Sequence, residues 1–250
     1  MGTFLSRHLA GRIPRLRLIY HRTPLASDVL EADGVEAVRA DLGDPRTIPP
    51  AVQGVDVVVH FAGVLFAPRP SRFLPVTNVK WFEHLLDAAV AAGVRKVILV
   101  SFPQVEGPTT FERPATGRLD RKPVSVHATT RLEAERLLMS RTQSTQTVPI
   151  VCVLGSSHWR RAARHHPGIP GRPVRSVGYS RPWRVPMWTV HATAAACELC
   201  ALAARTRAPL THDIVALGRV CHWGETSRAR AELLPELICP TLSTGLRLCR

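Results

Sequence analysis

Val55-Asp56-Val57-Val58-Val59-His60-Phe61-Ala62-Gly63 is a β-branched run that stops on a turn of small residues. Outward from it the pattern repeats. Downstream, Arg95-Lys96-Val97-Ile98-Leu99-Val100-Ser101 has the same character, as does the stretch from Val148 to Leu154. Upstream, Leu16-Arg17-Leu18-Ile19-Tyr20 ends at His21-Arg22-Thr23-Pro24, and Val35-Glu36-Ala37-Val38-Arg39 ends at Asp41-Leu42-Gly43-Asp44-Pro45. Short apolar runs bounded by turn residues read as strands of a sheet buried on both faces.

Helical periodicity fills the intervals. The spacing predicts helices over 4–12, 73–92 and 129–141. The second puts Leu85, Leu86, Ala89 and Val90 on one face and is stopped by Gly93. The third turns Leu132, Leu137 and Leu138 inward and leaves Glu133, Glu135 and Arg136 to solvent. Strands alternating with helices over short connections define an α/β fold with a parallel sheet. In such sheets ligands bind at the carboxyl ends of the strands, so the residues after each strand are the ones to read for chemistry.

Composition sets the outer bounds. The chain has 250 residues and a mean hydropathy of +0.02, enough for a real core without disulfide or metal staples. Its 33 basic residues against 19 acidic ones give a formal charge of +14, yet only Lys80, Lys96 and Lys122 are lysines. The arginines are scattered, and aromatic residues make up 6%, so the stacking stripe of a nucleic-acid binder is missing. Cys152, Cys197, Cys200, Cys221, Cys239 and Cys249 lack a framework of spacings and read as small buried hydrophobes. No metal site is expected: His158, His165 and His166 have no carboxylate or thiol beside them. The nearly uncharged stretch 185–204 carries Glu198 and much Ala and Thr, so a packing or interfacial helix is favoured over membrane contact. The N-terminal residues do not resemble a signal peptide, which implies a cytoplasmic setting.

Taken together, these strand ends resemble the extended short-chain dehydrogenase/reductase group, the NAD-dependent epimerase/dehydratase proteins. The resemblance covers roughly residues 2–155 and rests on ordered pieces. These are Asp41-Leu42, His60-Phe61-Ala62-Gly63, Asn78, Leu86-Asp87-Ala88-Ala89, Ala92-Gly93-Val94, and Val100-Ser101 with Val105 and Gly107. It implies a Rossmann-like doubly wound parallel sheet over 1–155, an irregular Arg-rich segment over 156–180, and a small, mostly helical remnant of a substrate domain over 181–250.

The resemblance also implies a cofactor, NAD(P). Asp41 and Leu42 would abut the adenine, the Phe61-Ala62-Gly63 turn would let the backbone approach the dinucleotide, and Asn78 would sit beside it. Asp41 read alone is equally a turn residue and Asn78 a helix cap. Gly2, Thr3, Phe4 and Leu5 correspond to the tail of the phosphate-binding turn, with Thr3 and Ser6 standing where glycines are usual. The strand that precedes that turn in the family has no counterpart, so two half-sheets are expected to meet across a gap. Tyr20, His21 and Arg22 offer no acid for the ribose hydroxyls, and Arg22 suits a 2′-phosphate, which favours NADP; in so Arg-rich a chain Arg22 is as readily a surface residue.

By the same resemblance Ser101 falls at the catalytic serine. His127 stands where the catalytic tyrosine belongs and Arg131 where the lysine belongs, four residues on. Histidine can carry a proton near neutral pH and arginine can hold ribose hydroxyls; His127 as an exposed first-turn residue is the bland alternative.

The end of the chain is less legible. From Arg136 to Cys197 there are nine arginines and no acid, and 156–180 has no apolar period, which fits either a basic loop or a frame slip in the gene. Helices are expected over 183–204 and 226–237, and 240–246 resembles the close of the substrate domain. The implied function is an NAD(P)-binding epimerase/dehydratase-like oxidoreductase acting on a hydroxyl or carbonyl of a small molecule, such as a sugar nucleotide, with a homodimer as an open assembly. The competing reading is a non-catalytic Rossmann-type binding or scaffold protein, or an inactive family member.

Overall fold

The computed structural model describes residues 2–64, 70–110, 112–153, 186–204, 206, 208–219 and 223–232. The elements run α1 (Gly2–Leu9), β1 (Leu16–Tyr20), α2 (Ser27–Leu30), β2 (Val35–Arg39), α3 (Pro49–Val52) and β3 (Val57–His60). They continue with α4 (Pro70–Leu74), α5 (Trp81–Ala91), β4 (Lys96–Ser101), α6 (Val126–Thr142) and β5 (Val148–Val153). After these come α7 (Met187–Ala203), α8 (His212–Arg219) and α9 (Ser227–Glu232). The fold is α/β and Rossmann-like, with a helical C-terminal region, as the alternation of strands and helices predicts. The segment 156–180 with its histidines, residues 240–246, and Cys221, Cys239 and Cys249 lie outside the described residues.

Among the described residues all strand pairs are parallel. They form two sheets: β1 with β2, and β3-β4-β5 in that order. The expected gap therefore falls between β1 and β3. Lys96 N–H donates to the Asp56 carbonyl, so in the parallel alternation the N–H and C=O groups of Val57 and Val59 point away from β4. In β1 the Tyr20 carbonyl accepts from Ala40, which turns the backbone of Arg17 and Ile19 away from β2. Ile19, Val57 and Val59 are correspondingly 37–38% exposed. Arg17 ties β1 to the segment ahead of β3, one terminal nitrogen donating to the Gln53 carbonyl at 2.7 Å and to the Ala51 carbonyl at 3.4 Å. At the other end, Gly2 of α1 lies beside Phe61.

Burial on both faces is approached only by β4 among the described strands; β3 is buried on one face, β5 and β1 are largely half-buried, and three of the five residues of β2 are exposed. Native-state hydrogen exchange is the check on these edges. The Val57, Val59 and Ile19 amides are expected to exchange by local opening of near-zero cost, while Val97 and Leu99 in central β4 are protected close to the global limit. Uniform protection along β3 would show that its outer edge is paired.

The core lies between β3-β4-β5 and helices α5 and α6. Phe82, Leu86, Val97, Leu99, Ala134 and Leu138 are its centre. The predicted helix over 73–92 forms, but its middle, Pro75–Lys80, is a wider π-type turn that carries Thr77 and Asn78 inside. Such turns are costly to hydrogen bonding and recur where a side chain must be aimed. Gly93, at φ +71°, closes α5: its N–H bonds the Val90 carbonyl and the next N–H reaches back to Ala89.

Helix α6 starts earlier than the apolar period suggests. Ser125 caps it by accepting from the Ala128 N–H at 3.1 Å, which draws His127 into the first turn. Two side-chain expectations are corrected here. His127 is 1% exposed, so it is no surface residue, and Glu135 is 2% exposed where solvent was expected. Glu133 and Arg136 are exposed as expected. A third correction concerns the cysteines: Cys200 is exposed, and Cys152 and Cys197 are only half-buried. No helix among the described residues is long and apolar enough to cross a membrane; on α7, Trp188 and Leu199 are exposed.

Candidate functional site

Three pieces of chain converge at the carboxyl ends of β3 and β4: the turn after β3, the π-type turn, and the buried face of α6. Asn78, fully buried, brackets Val64, accepting from its N–H at 2.7 Å and donating to its carbonyl at 3.0 Å. Its amide nitrogen also reaches the Thr130 hydroxyl of α6 at 3.3 Å. Asn78 is thus a strut between the turn and α6, not the helix cap that its sequence position allows. Its geometry explains the small residues of the turn. A Cβ on Gly63 would collide with the Arg131 guanidinium, so only glycine lets that side chain lie over the turn.

Arg131 is 6% exposed. One terminal nitrogen donates to the Ala62 carbonyl at 3.4 Å, while Nε and the other terminal nitrogen make no hydrogen bond among the described residues. A cation so placed is costly: burial pulls its pKa below the usual arginine value, and Glu135 opposes the shift. His127 lies one turn back on the same face. Its ring is parallel to Phe102, with centroids 4.8 Å apart, and its Nδ1 has no partner among the described residues. Burial, with the Arg131 charge, lowers its pKa to about 3, so the imidazole is neutral across the physiological range. The same causes hold His60, tilted on Phe82, at about 3.

Ser101, at the end of β4, donates its hydroxyl to the Glu135 carboxylate in a short hydrogen bond; the partner on its side chain is Glu135 and not His127. Burial raises Glu135 to about 7 against the lowering effect of that bond; nearby Glu106 raises it further and Arg131 lowers it. Glu106 is itself buried and accepts from the Gly117 N–H at 2.6 Å. Glu135, His60, Phe102 and Thr130 are the members that sequence reasoning missed. The signal for Glu135 was its spacing: positions 127, 131 and 135 recur every fourth residue and share one helix face.

The remaining residues gather along the ends of β1 and β2. Asp41 faces His21, with Nε2 to the carboxylate at 3.3 Å, and accepts from the Gly43 N–H at 2.8 Å, which is the turn role open to it. The Leu42 carbonyl is bonded to His84 Nδ1 at 2.9 Å. Arg22 is exposed at the end of β1. At the start of α1, Gly2 and Leu5 are half-buried and Thr3 and Phe4 exposed, Phe4 at 79%. A Cβ on Gly2 would meet Phe61 only at ordinary contact distance, so no steric demand for glycine exists there.

Comparison with known proteins bears on the fold and the family. The profile of the NAD(P)H-binding family matches residues 2–144, and the chain belongs to that family. Over 126 residues it is 30% identical to a 2-alkyl-3-oxoalkanoate reductase of Shewanella oneidensis, covering 47% of this chain and 31% of that protein. It spans about a third of the length of the curated relatives it matches. Among solved structures, that of gox2253 covers 93% of this chain and 88% of its own, with a TM-score of 0.62 at 18% identity. Uronate dehydrogenase from Agrobacterium tumefaciens, complexed with NAD, covers 58% of this chain and 54% of its own, with a TM-score of 0.51 at 22% identity. The resemblance read from the strand ends therefore holds, and the domain is an NAD(P)-binding one.

The residues present fit that cofactor at one end. The unpartnered nitrogens of Arg131 and the Nδ1 of His127 are buried polar atoms of the type that ribose hydroxyls and a reacting oxygen satisfy.

Proposed function

We propose that this chain is an NAD(P)-dependent oxidoreductase that interconverts a hydroxyl and a carbonyl on a small molecule, a sugar nucleotide being one suitable class. The observation that supports this most is the buried Arg131 guanidinium with two unpartnered nitrogens, one helical turn from the unpartnered Nδ1 of His127. The bound nicotinamide supplies or accepts hydride. Arg131 holds ribose hydroxyls. His127, neutral at physiological pH with its Nδ1 unpartnered, accepts the substrate hydroxyl proton as hydride leaves. The Ser101 hydroxyl is committed as a hydrogen-bond donor to Glu135, so it flanks the substrate oxygen without donating to it, and the one proton of the substrate hydroxyl goes to His127. Gly2, Thr3, Phe4 and Leu5 lie toward the pyrophosphate. Asp41 and Leu42 lie toward the adenine, and Arg22 toward a 2′-phosphate, so NADP is preferred over NAD. The free thiols of Cys152, Cys197 and Cys200 suit a reducing cytoplasmic setting.

A second reading, a nucleotide-binding module without turnover, has its own support: Phe102 covers one face of the His127 ring, and the Ser101 hydroxyl is bonded to Glu135. His127→Ala separates the two. If His127 moves the proton, the variant binds NADPH as the wild type does and loses ~10²–10⁴-fold in turnover, measured by nicotinamide absorbance. NADPH binding without turnover by the wild type, across hydroxyl and carbonyl substrates, would favour the module.

A further inference from the structure

We infer that Glu135 is the proton-linked counter-charge of Arg131, so that this site takes up one proton from solvent when it takes an anionic dinucleotide. The inference rests on the proposed binding of NAD(P) at Arg131. Its ground is geometric. Arg131 and Glu135 lie one turn apart on the same inward face of α6, both nearly buried. Two nitrogens of Arg131 lack hydrogen-bond partners among the described residues, and Glu135 accepts from the Ser101 hydroxyl of β4.

The charged and titratable groups around this carboxyl come from each neighbouring element. On α6 they are Arg131, which favours the ionised form, and neutral His127. From the turn after β4 comes Glu106, which disfavours ionisation. Beyond Arg131, on β3, stands neutral His60. With Arg131 otherwise alone, an ionised Glu135 balances it. A dinucleotide brings negative charge to the guanidinium and competes for that role. The carboxylate, against Glu106 and now against the ligand, is then better off neutral; it binds a proton from solvent, forming a carboxyl O–H, and no other bond changes. The balance is close because burial already brings the Glu135 pKa to about 7.

The test is calorimetric titration of NADPH into the intact chain, in buffers of different ionisation enthalpy at about pH 6 and about pH 8. The wild type is expected to show buffer-dependent heat equivalent to uptake of ~1 proton at the upper pH. Its affinity should fall by up to ~10-fold per pH unit above about 7. Glu135→Gln, which can still accept from Ser101, is expected to bind with the same heat in every buffer and a flatter pH profile. Protons exchanged elsewhere in the molecule are common to both forms and cancel in the comparison. If proton uptake and pH slope are unchanged in Glu135→Gln, the inference falls while nucleotide binding stands; if Glu135→Gln merely loses stability or affinity at every pH, Glu135 is structural and the inference falls too. Absence of NADPH and NADH binding by the wild type at any pH would overturn both this inference and the reading on which it rests. A carboxyl ¹³C titration of Glu135 in the wild type gives a check without the variant: its midpoint should rise when NADPH is added, and a fixed midpoint contradicts the inference.

Discussion

Arg131→Met is expected to stabilise the ligand-free fold while destroying nucleotide binding. The two effects have one cause. Arg131 is a buried guanidinium with two nitrogens lacking hydrogen-bond partners among the described residues, and Glu135, which balances its charge, takes a proton once that charge is gone; an apolar side chain of similar length then relieves the burial of charge by about 1–4 kcal/mol, as when a buried ion pair gives way to apolar groups. For a chain of this size that raises the melting temperature by several degrees. The same nitrogens are those proposed to hold the ribose, and losing charge-assisted bonds of this type costs about 2–5 kcal/mol of binding, which is ~30-fold or more in Kd. Thermal melts and NADPH titration of the one variant check both signs. Lower stability together with unchanged affinity would mean that the guanidinium is a packing element over Gly63 and not a ligand donor. Without the Arg131 charge the His127 and His60 pKa values should also move up towards ordinary histidine, since that charge is the second cause of their depression.

Asn78→Leu is expected to be the most damaging single change to the fold of the site. It keeps the volume and removes the strut: the Val64 N–H and carbonyl and the Thr130 hydroxyl lose their bonds together. Each polar group left unsatisfied costs about 1–3 kcal/mol when buried, and Val64 is only half-buried, so a net loss of about 2–4 kcal/mol follows. In a chain of this length that is a fall in melting temperature of about 5–15 °C. The turn over which Arg131 lies is freed at the same time, so NADPH affinity falls with stability. A variant that melts like the wild type would mean that water replaces the amide on all three partners.

Much of the fold could be read in advance from short-range physics. Val57 to His60 and Lys96 to Ser101 are strands because β-branched residues pack on a pleated surface, and the small residues after them mark where the chain must turn. The errors were errors of partner. Glu135 reads as solvated because a carboxylate on a helix is usually so; a hydroxyl on β4, 34 residues earlier in the chain, together with the Arg131 charge makes its burial tolerable. Likewise, Asn78 has the composition of a cap but lies inside a helix, where a wider turn aims its amide at a distant backbone.

Local sequence alone determined the alternation of strand and helix, the parallel pairing, and the family likeness of the turns, because these depend on side-chain shape and periodicity within a few residues. Tertiary structure decided the charge state of the site. Whether His127 is neutral, whether Glu135 holds a proton, and whether Arg131 lacks partners all depend on how far each group is removed from water and on which charges from other segments face it. Those quantities are set by packing between α6, β4 and the turn after β3, and they exist only once the chain has folded.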